Sequence, residues 1–182
     1  MEASKSNLAK FQADEPKFLS QLIIQVETWV HHYDPMTKQE SRMWLASRNQ
    51  APMMAKSMAP AGKVMASIWW DCEGVLMAKF FKSSQRLSGD DHAAQLRELR
   101  EMIKVKRPGK LTKGVLILQD NAPIHKSRVV MAAADDCGFQ LLPHPPYSPD
   151  LAPSDYFLFP WLKSQLHGKV YRSDSEVDIL SI

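Results

Sequence analysis

The distribution of apolar residues predicts three strands in the first half of the chain. Residues 18–33 are rich in β-branched and aromatic side chains, which favours a buried strand. Two further strand-like runs, KVMASIWW and GVLMAKFF, are separated by DCE, which is typical of a hairpin. The segment SRMWLAS, residues 41–47, is another strand candidate, and residues 49–62 predict a loop.

Helical and strand patterns alternate in the second half. Between Asp90 and Lys106, apolar residues recur at helical spacing with charges on the other face. The run KGVLILQD predicts a central strand, and a helix is predicted over 126–137 with Gly138 at its end. FQLLPHPP predicts a short strand that prolines end, and the last helix is expected to start with Ser154 as its N-cap and to run towards 167–168.

The resulting order, βββαβαβα, predicts an α/β domain with a mixed β-sheet flanked by helices. A ribonuclease-H-like fold has this order. Its active site collects acidic residues from the first strand, the fourth strand and a late helix. Residues 1–16 are polar and weakly patterned, which fits a helix or a frayed leader.

Composition is that of a single soluble globular domain. The chain has 182 residues, of which 45% are apolar and 24% charged. No apolar run approaches the ~20 residues of a membrane span, and the first residues lack the apolar core of a signal peptide. Cys72 and Cys137 have no CxxC spacing and are expected to be free thiols. The net charge of +3 permits contact with nucleic acid without arguing for it.

Two aspartates, Asp120 and Asp155, occur in different sequence motifs, LILQDNAPIH and PHPPYSPDLAPSDYFLF. Asp120 follows a run of apolar β-formers, whereas Asp155 follows a proline-rich loop and opens an apolar segment. Acidic groups at a strand end and at a helix start suit an oxygen-ligand site for Mg²⁺ or Mn²⁺. We therefore predict that Asp120 and Asp155 bind metal.

Five segments together resemble the catalytic domain of mariner-type DNA transposases. They are ETWVHHYDP, GKVMASIWWD, KRPGKLTKGVL, LQDNAPIHKS and HPPYSPDLAPSDYFLF. The resemblance implies a cut-and-paste transposase that uses Asp residues and two divalent ions to cut DNA at element ends and to join them to a TA target. It also implies a homodimer, a nuclear location, and a chain in which 1–16 are a remnant of the interdomain region and 17–182 a catalytic domain truncated at its C-terminus.

The resemblance assigns catalysis and metal binding to Asp120 and Asp155, but its first Asp position is occupied by Val26. Two other acidic residues are alternatives for the vacant role. Glu27 is expected to face away from Val26, since successive side chains on a strand alternate. Asp71 stands at the first position and Gly74 at the fourth position of a predicted turn, which is ordinary turn chemistry.

Other residues are accessory candidates. Asn121 could orient Asp120 or serve the strand-end turn, and His125 could assist at the site or cap the next helix. A basic stretch is a candidate DNA contact or a solvated loop, and comprises Lys104, Lys106, Arg107, Lys110 and Lys113. The family resemblance also implies a subunit contact through Tyr147, Ser148, Pro149, Asp150 and Leu151.

The sequence therefore predicts a mariner-type catalytic domain that is inactive because Val26 replaces a metal ligand and because the family's N-terminal DNA-binding domain is absent. The alternative is a non-catalytic module, retained by a host, that binds DNA or protein. A third hypothesis is an active nuclease in which Glu27 or Asp71 has taken the vacant role.

Overall fold

The computed structural model describes residues 2–31, 63–81, 87–146 and 148–166. Its strands are β1 (Leu22–His31), β2 (Lys63–Asp71), β3 (Gly74–Phe81), β4 (Val115–Leu118) and β5 (Phe139–Leu142). Its helices are α1 (Glu2–Ala13), α2 (Glu15–Gln21), α3 (Gly89–Lys106), α4 (Lys110–Lys113), α5 (Arg128–Asp136) and α6 (Phe159–Leu166). Three helical turns of other types lie at Pro123–Lys126, Pro149–Leu151 and Ser154–Leu158.

The five strands form one mixed sheet in the order β3-β2-β1-β4-β5. The pairs β1–β2 and β2–β3 are antiparallel, whereas β4 pairs in parallel with both β1 and β5. The predicted mixed sheet flanked by helices is confirmed. Parallel neighbours need crossover connections, and here α3 precedes β4 while α5 links β4 to β5.

Each face of the sheet carries its own apolar core, because neighbouring residues of β1 point to opposite sides. Ile23 packs with Trp69, Leu96 and other residues of α3 and α5. Ile24 packs with Trp70, Leu158 and other residues from β2 and the C-terminal helical segment. No helix among the described residues combines the length and apolar character that crossing a membrane requires.

The N-terminal boundary of the first strand differs from the prediction. Residues 18–21 belong to α2, and β1 begins at Leu22. Asp14 caps α2 by accepting a hydrogen bond from the Lys17 amide, and Pro16 lies in its first turn, where a missing N–H costs nothing. These local signals override the strand propensity of Phe18 and Leu19. The predicted polar leader contains α1, and Asn7 of that helix donates to the Pro143 carbonyl.

Several other predicted features can be compared directly. Gly138 has a φ of 71° just after α5, so it ends that helix as predicted. Cys72 and Cys137 are free. The prediction that Ser154 is an N-cap is wrong, because its hydroxyl accepts from Trp70 Nε1 at 3.1 Å and the preceding Pro153 occupies the cap position. The strand candidate at 41–47, the loop at 49–62 and the helix end at 167–168 lie outside the described residues.

Asp71 holds the β2–β3 hairpin against the end of α3. Its carboxylate accepts the Glu73 amide at 3.0 Å, which confirms the predicted turn role. The same group binds Arg107 through two hydrogen bonds of 3.1 Å and Lys110 through one of 3.0 Å. Burial alone raises the pKa of Asp71, but the Arg107 and Lys110 contacts outweigh it and hold that pKa below its ordinary value.

We predict that Asp71→Asn lowers the free energy of unfolding by roughly 3–5 kcal/mol, because it removes the carboxylate that pairs with the buried Lys110 and leaves Arg107 with only the exposed Glu73 as a charged partner among the described residues. The matched control is Glu101→Gln, which removes an exposed partner of Lys104 and is expected to leave the free energy of unfolding nearly unchanged, because solvent screens exposed ion pairs. Urea denaturation of both variants measures the difference. Equal, small losses would contradict the structural role of Asp71.

Candidate active site

A cleft of about 230 Å³ lies where β1 and β4 run side by side beneath the C-terminal helical segment. Ile24 of β1 pairs with Leu118, the last residue of β4, in the parallel register. Val26 follows two residues later on β1, and Asp120 follows two residues later in the turn after β4. Asp155, from the helical turn Ser154–Leu158, also lines the cleft. The structure therefore brings together Val26, Asp120 and Asp155, the positions that are far apart in the sequence.

Asp120 is held by its own turn and by one histidine. Its Oδ1 accepts from the Ala122 amide at 2.9 Å and lies 2.9 Å from Nδ1 of His125. The His125 hydrogen bond lowers the pKa of Asp120, so the carboxylate is ionised at neutral pH. Because both contacts use Oδ1, Oδ2 has no hydrogen bond within the described part of the chain. The side chain is 68% exposed, which leaves Oδ2 accessible to a cation.

Asp155 lies in a π-helical turn, Ser154–Leu158, that leads into α6. Its backbone N–H donates to the Ala152 carbonyl at 2.9 Å, and its neighbour Ser154 is fastened to Trp70 of β2. Phe157 stacks on Trp70 with ring centroids 5.7 Å apart. Single π-helical turns often occur at functional sites, because the wider turn changes which side chains face a ligand. This turn fixes the Asp155 backbone against the sheet.

Val26 contributes no ligand atom to the cleft. It packs against the apolar core that contains Ile24 and Leu158. Glu27 lies at the rim of the cleft, but its side chain belongs to the other face of β1, as strand alternation predicts. Its Oε1 accepts from Gln25 Nε2 at 3.0 Å and lies 3.0 Å from His125 Nε2. The Glu27 carboxylate is therefore already engaged away from Val26.

Asp71, the other alternative ligand, lies at the β2–β3 turn. Its carboxylate is bound to Arg107 and Lys110, and it lines an apolar cavity that contains neither Asp120 nor Asp155. The structure does not bring Asp71 to the cleft.

His125 is a buried link between two carboxylates, not an exposed helix cap. The ring is 1% exposed and lies between Asp120 and Glu27 at 2.9 and 3.0 Å. Burial lowers its pKa, but the hydrogen bonds to both carboxylates outweigh that effect and raise the pKa to about 9. The imidazolium therefore carries a positive charge at neutral pH and also lowers the pKa of Glu27, against the opposing effect of burial.

His92 of α3 is a second buried histidine that the sequence pattern did not single out. Its ring is 0% exposed and lies 4.5 Å, centroid to centroid, from that of His125. Burial, and then the charge of His125, lower the pKa of His92 to about 4. Gln25, Ser67 and Gln95 extend this polar cluster into the apolar core. No sequence signal marked His92 or Gln95, because polar residues are common on a helix that is largely charged.

Asn121 joins two loops instead of orienting Asp120. Its Nδ2 donates to the His144 carbonyl at 2.7 Å, which ties the end of β4 to the segment after β5. In the proline-rich loop, Ser148 Oγ donates to the Pro146 carbonyl and Pro149–Leu151 forms a 3₁₀ turn. Asp150 and Leu151 are exposed there, whereas Tyr147 lies outside the described residues.

The five predicted DNA-contacting cations do not form one free strip. Arg107 and Lys110 bind Asp71, and Lys110 is 5% exposed, so these two side chains have partners within the fold. Burial of the β2–β3 turn recruits them as structural partners. Lys104 pairs with Glu101 and Lys106 donates to the Leu76 carbonyl, yet both remain exposed, as does Lys113.

Comparison with known proteins shows the family to which the chain belongs. A family model described as transposase (partial DDE domain) matches residues 34–113. The chain is 33% identical over 144 residues to the mariner Mos1 transposase of Drosophila mauritiana, a match that covers 78% of this chain and 41% of that protein. The Mos1 catalytic-domain crystal structure superposes with a TM-score of 0.74 at 26% identity, covering 97% of this chain and 74% of that one.

This chain belongs to the mariner transposase family. It is similar over 97% of its length to Mos1 in a paired-end complex with Mn, with a TM-score of 0.80 and 29% identity, and it covers 51% of that chain. It is also 28% identical over 174 residues to human histone-lysine N-methyltransferase SETMAR, a match that covers 95% of this chain. The mariner-type chain spans 41% of the Mos1 transposase and 25% of SETMAR.

We predict that His125→Gln destabilises this mariner domain in a pH-dependent way. A pKa raised from 6.5 to about 9 corresponds to roughly 3 kcal/mol of stabilisation. That contribution is complete below pH 6.5 and is lost as the pH rises through about 9. Folding lowers the pKa values of Glu27 and Asp120. These two carboxylates therefore stabilise the folded state at pH values above their ordinary pKa values, and this contribution is lost as the pH falls through the lowered pKa values.

The free energy difference between the wild-type chain and His125→Gln should therefore be largest near pH 5–6 and should shrink beyond pH 9. Urea denaturation at a series of pH values in EDTA measures it. The exposed His31 provides the control, and His31→Gln is expected to change stability by less than about 0.5 kcal/mol at every pH. A difference for His125→Gln that grows towards alkaline pH would contradict the ion-pair account.

Proposed function

We propose that the chain is the catalytic domain of a cut-and-paste DNA transposase whose metal site is incomplete, and that it cleaves DNA very weakly or not at all. One observation carries the proposal: Asp120, Asp155 and Val26 line the same cleft, and Val26 has no oxygen to offer. The family resemblance assigns all three positions to metal ligands. The same three side chains therefore support both parts of the proposal, the descent from a transposase and the weak or absent DNA cleavage.

The two carboxylates fit one hard cation. Mg²⁺ is commonly held through one or two carboxylates and several waters, and Asp120 is ionised with Oδ2 accessible. Asp155 would supply a second oxygen from the facing wall. When bound, a divalent cation of this kind polarises a phosphoryl oxygen and lowers the pKa of its water. The contacts of Asp120 with Ala122 and His125 would fix the ligand geometry.

The cleft lacks a complete set of ligands for a second cation. In-line displacement at phosphorus by two ions requires a clamp on both the attacking and the leaving oxygen. Val26 removes one carboxylate from that clamp and puts two methyl groups against the apolar core instead. Glu27 does not take its place, because its side chain lies on the other face of β1, where Oε1 is hydrogen-bonded to His125. We infer that the cleft holds one ion weakly and does not assemble the pair.

DNA is the proposed partner. Structures similar to this chain include Mos1 in a paired-end complex with the left transposon end and in a strand transfer complex. We propose transposon-end DNA and a TA target as the ancestral substrates, a homodimer as the ancestral assembly, and the nucleus as the location. The exposed cations Lys104, Lys106 and Lys113 remain candidates for phosphate contact.

A second candidate function is a non-catalytic module, retained by a host, that binds DNA or protein. The observation that favours it is the match to SETMAR, where the similar segment makes up a quarter of a protein named for another activity. Salt-dependent DNA binding without cleavage would support this candidate. Cleavage by the unmodified chain would instead support the hypothesis that another carboxylate has taken the vacant role.

We predict that Val26→Asp restores metal binding. Because a direct ligand returns, Mn²⁺ affinity should rise by more than the roughly 10–100-fold that outer-shell changes produce. Calorimetric titration with Mn²⁺ measures affinity and stoichiometry, and a supercoiled-plasmid assay measures nicking. The matched control is Val26→Asn, which has nearly the same shape as Asp but no charge, and which should bind Mn²⁺ far less tightly than Val26→Asp. Robust Mg²⁺-dependent nicking by the unmodified chain would refute the proposal.

We also predict that the unmodified chain is at least as stable without metal as Val26→Asp. The substitution places a third carboxylate beside Asp120 and Asp155, so like charges repel when no cation is present, and it removes an apolar contact from the core. Thermal melts in EDTA test the order of stability, and repeating them with Mn²⁺ should narrow or reverse it. A clearly higher Tm for Val26→Asp in EDTA would be the contrary result.

A further inference from the structure

A second cluster of metal-ligating side chains lies on the α3 side of the sheet. Glu27 comes from β1, His92 from α3 and His125 from the turn after β4. Each offers one ligand atom, and these atoms all lie within 4.8 Å of one another. His92 and His125 are buried, whereas the Glu27 side chain is 20% exposed. These three residues differ from Asp120 and Asp155, the two carboxylates that are proposed to bind metal in the cleft.

We propose that Glu27, His92 and His125 form a binding site for a borderline transition-metal ion such as Zn²⁺, distinct from the Asp120–Asp155 cleft. Two imidazoles and one carboxylate are a donor set that suits Zn²⁺, whereas all-oxygen sets suit Mg²⁺ and Mn²⁺. Three protein ligands leave one coordination position for water. The inference does not depend on the proposed function of the cleft.

The distances are close to those that a tetrahedral ion needs. Zn–N and Zn–O bonds of about 2.0–2.2 Å place neighbouring ligand atoms roughly 3.3 Å apart. Glu27 Oε1 and His125 Nε2 are already 3.0 Å apart. The ligand atom of His92 lies at most 4.8 Å from those of Glu27 and His125. It would therefore have to move by about 1.5 Å at most to reach the separation of roughly 3.3 Å that a tetrahedral ion needs.

Hydrogen bonds on the far side of each ring support this assignment. A metal-bound imidazole usually has its other nitrogen hydrogen-bonded to a carboxylate or another oxygen acceptor, which fixes the tautomer. His125 Nδ1 lies 2.9 Å from Asp120 Oδ1, and His92 Nε2 lies 3.3 Å from Gln119 Oε1. Both rings therefore have the outer partner that a ligand needs. His92 Nδ1 is left for the ion, and at His125 the ion would displace the proton that Nε2 shares with Glu27 Oε1.

An orphaned polar atom supplies independent evidence. His92 Nδ1 has no hydrogen-bond partner among the described residues, although the residue is 0% exposed. A buried acceptor without a partner is costly, and such atoms in native proteins commonly mark an unseen ion or water. Gln25 Oε1 is orphaned in the same way, and the Nε2 of that amide donates to Glu27. A bound ion would give His92 Nδ1 its partner.

The ion would fasten three elements of the domain. It would join β1, α3 and the turn after β4, and it would hold His125 in the position from which that ring contacts Asp120. The bound ion would thus stabilise the domain and would also orient one wall of the cleft.

Cobalt provides the direct test, because tetrahedral Co²⁺ absorbs visible light and Zn²⁺ displaces it. The full chain is used in a Cys72→Ser background, since Cys72 is an exposed free thiol that could bind the probe. We expect one equivalent of Co²⁺ with tetrahedral absorption and a higher Tm with Zn²⁺. Glu27→Gln and His92→Gln should each weaken binding at least about tenfold. Circular dichroism checks that each variant is folded.

Asp155→Asn is the matched control, because it alters the cleft without touching the proposed ligands, and it should bind Co²⁺ as the parent does. Absence of tetrahedral absorption in the parent would overturn the proposal. So would absorption that persists in folded Glu27→Gln, the less buried of the two ligand positions. Loss of the signal in Asp155→Asn would place the ion in the cleft and would likewise refute a separate site.

Discussion

The parallel pairing of β1 with β4 is the constraint on which the candidate site depends. It places Val26 beside Asp120 and leaves room for the helical segment that carries Asp155 to close the cleft. A shift of one residue in this register would turn Val26 to the other face and bring Glu27 into the cleft. The register is held because Ile23 and Ile24 are buried in different cores, so a shift would expose one core and overfill the other.

His125 is the electrostatic counterpart of that constraint. Its imidazolium neutralises part of the charge of Asp120 and Glu27 and connects the turn after β4 to the middle of β1. Val26 takes no part in this link, because it packs with the apolar residues on the opposite face. The contacts that hold Asp120 therefore do not involve the side chain at position 26.

Much of the fold could be predicted from periodicity, and the reasons for the exceptions are local. The run VLIL and the hairpin around Asp71 are short-range signals, and both were predicted correctly. The start of β1 was misplaced because Asp14 and Pro16 favour a helix start over the strand propensity of the next residues. Ser154 was misassigned because its partner, Trp70, lies 84 residues away in the sequence.

Only those residues of the candidate site that lie in family sequence motifs could be predicted. Asp120, Asp155 and Val26 stand in recognisable frames, whereas His92 and Gln95 are ordinary polar residues of a helix until folding buries them. Likewise, a basic stretch looks like a nucleic-acid surface until Asp71 is seen to bind Arg107 and Lys110. Long-range partners decide these roles, and a single sequence does not reveal them.

The most direct test of the central claim is the number of Mn²⁺ ions in the cleft of a crystal of the unmodified chain soaked in Mn²⁺, located by anomalous scattering. We predict at most one ion, bound by Asp120 and Asp155, and two in the same crystal form of Val26→Asp. Two well-occupied ions in the cleft of the unmodified chain would contradict the account.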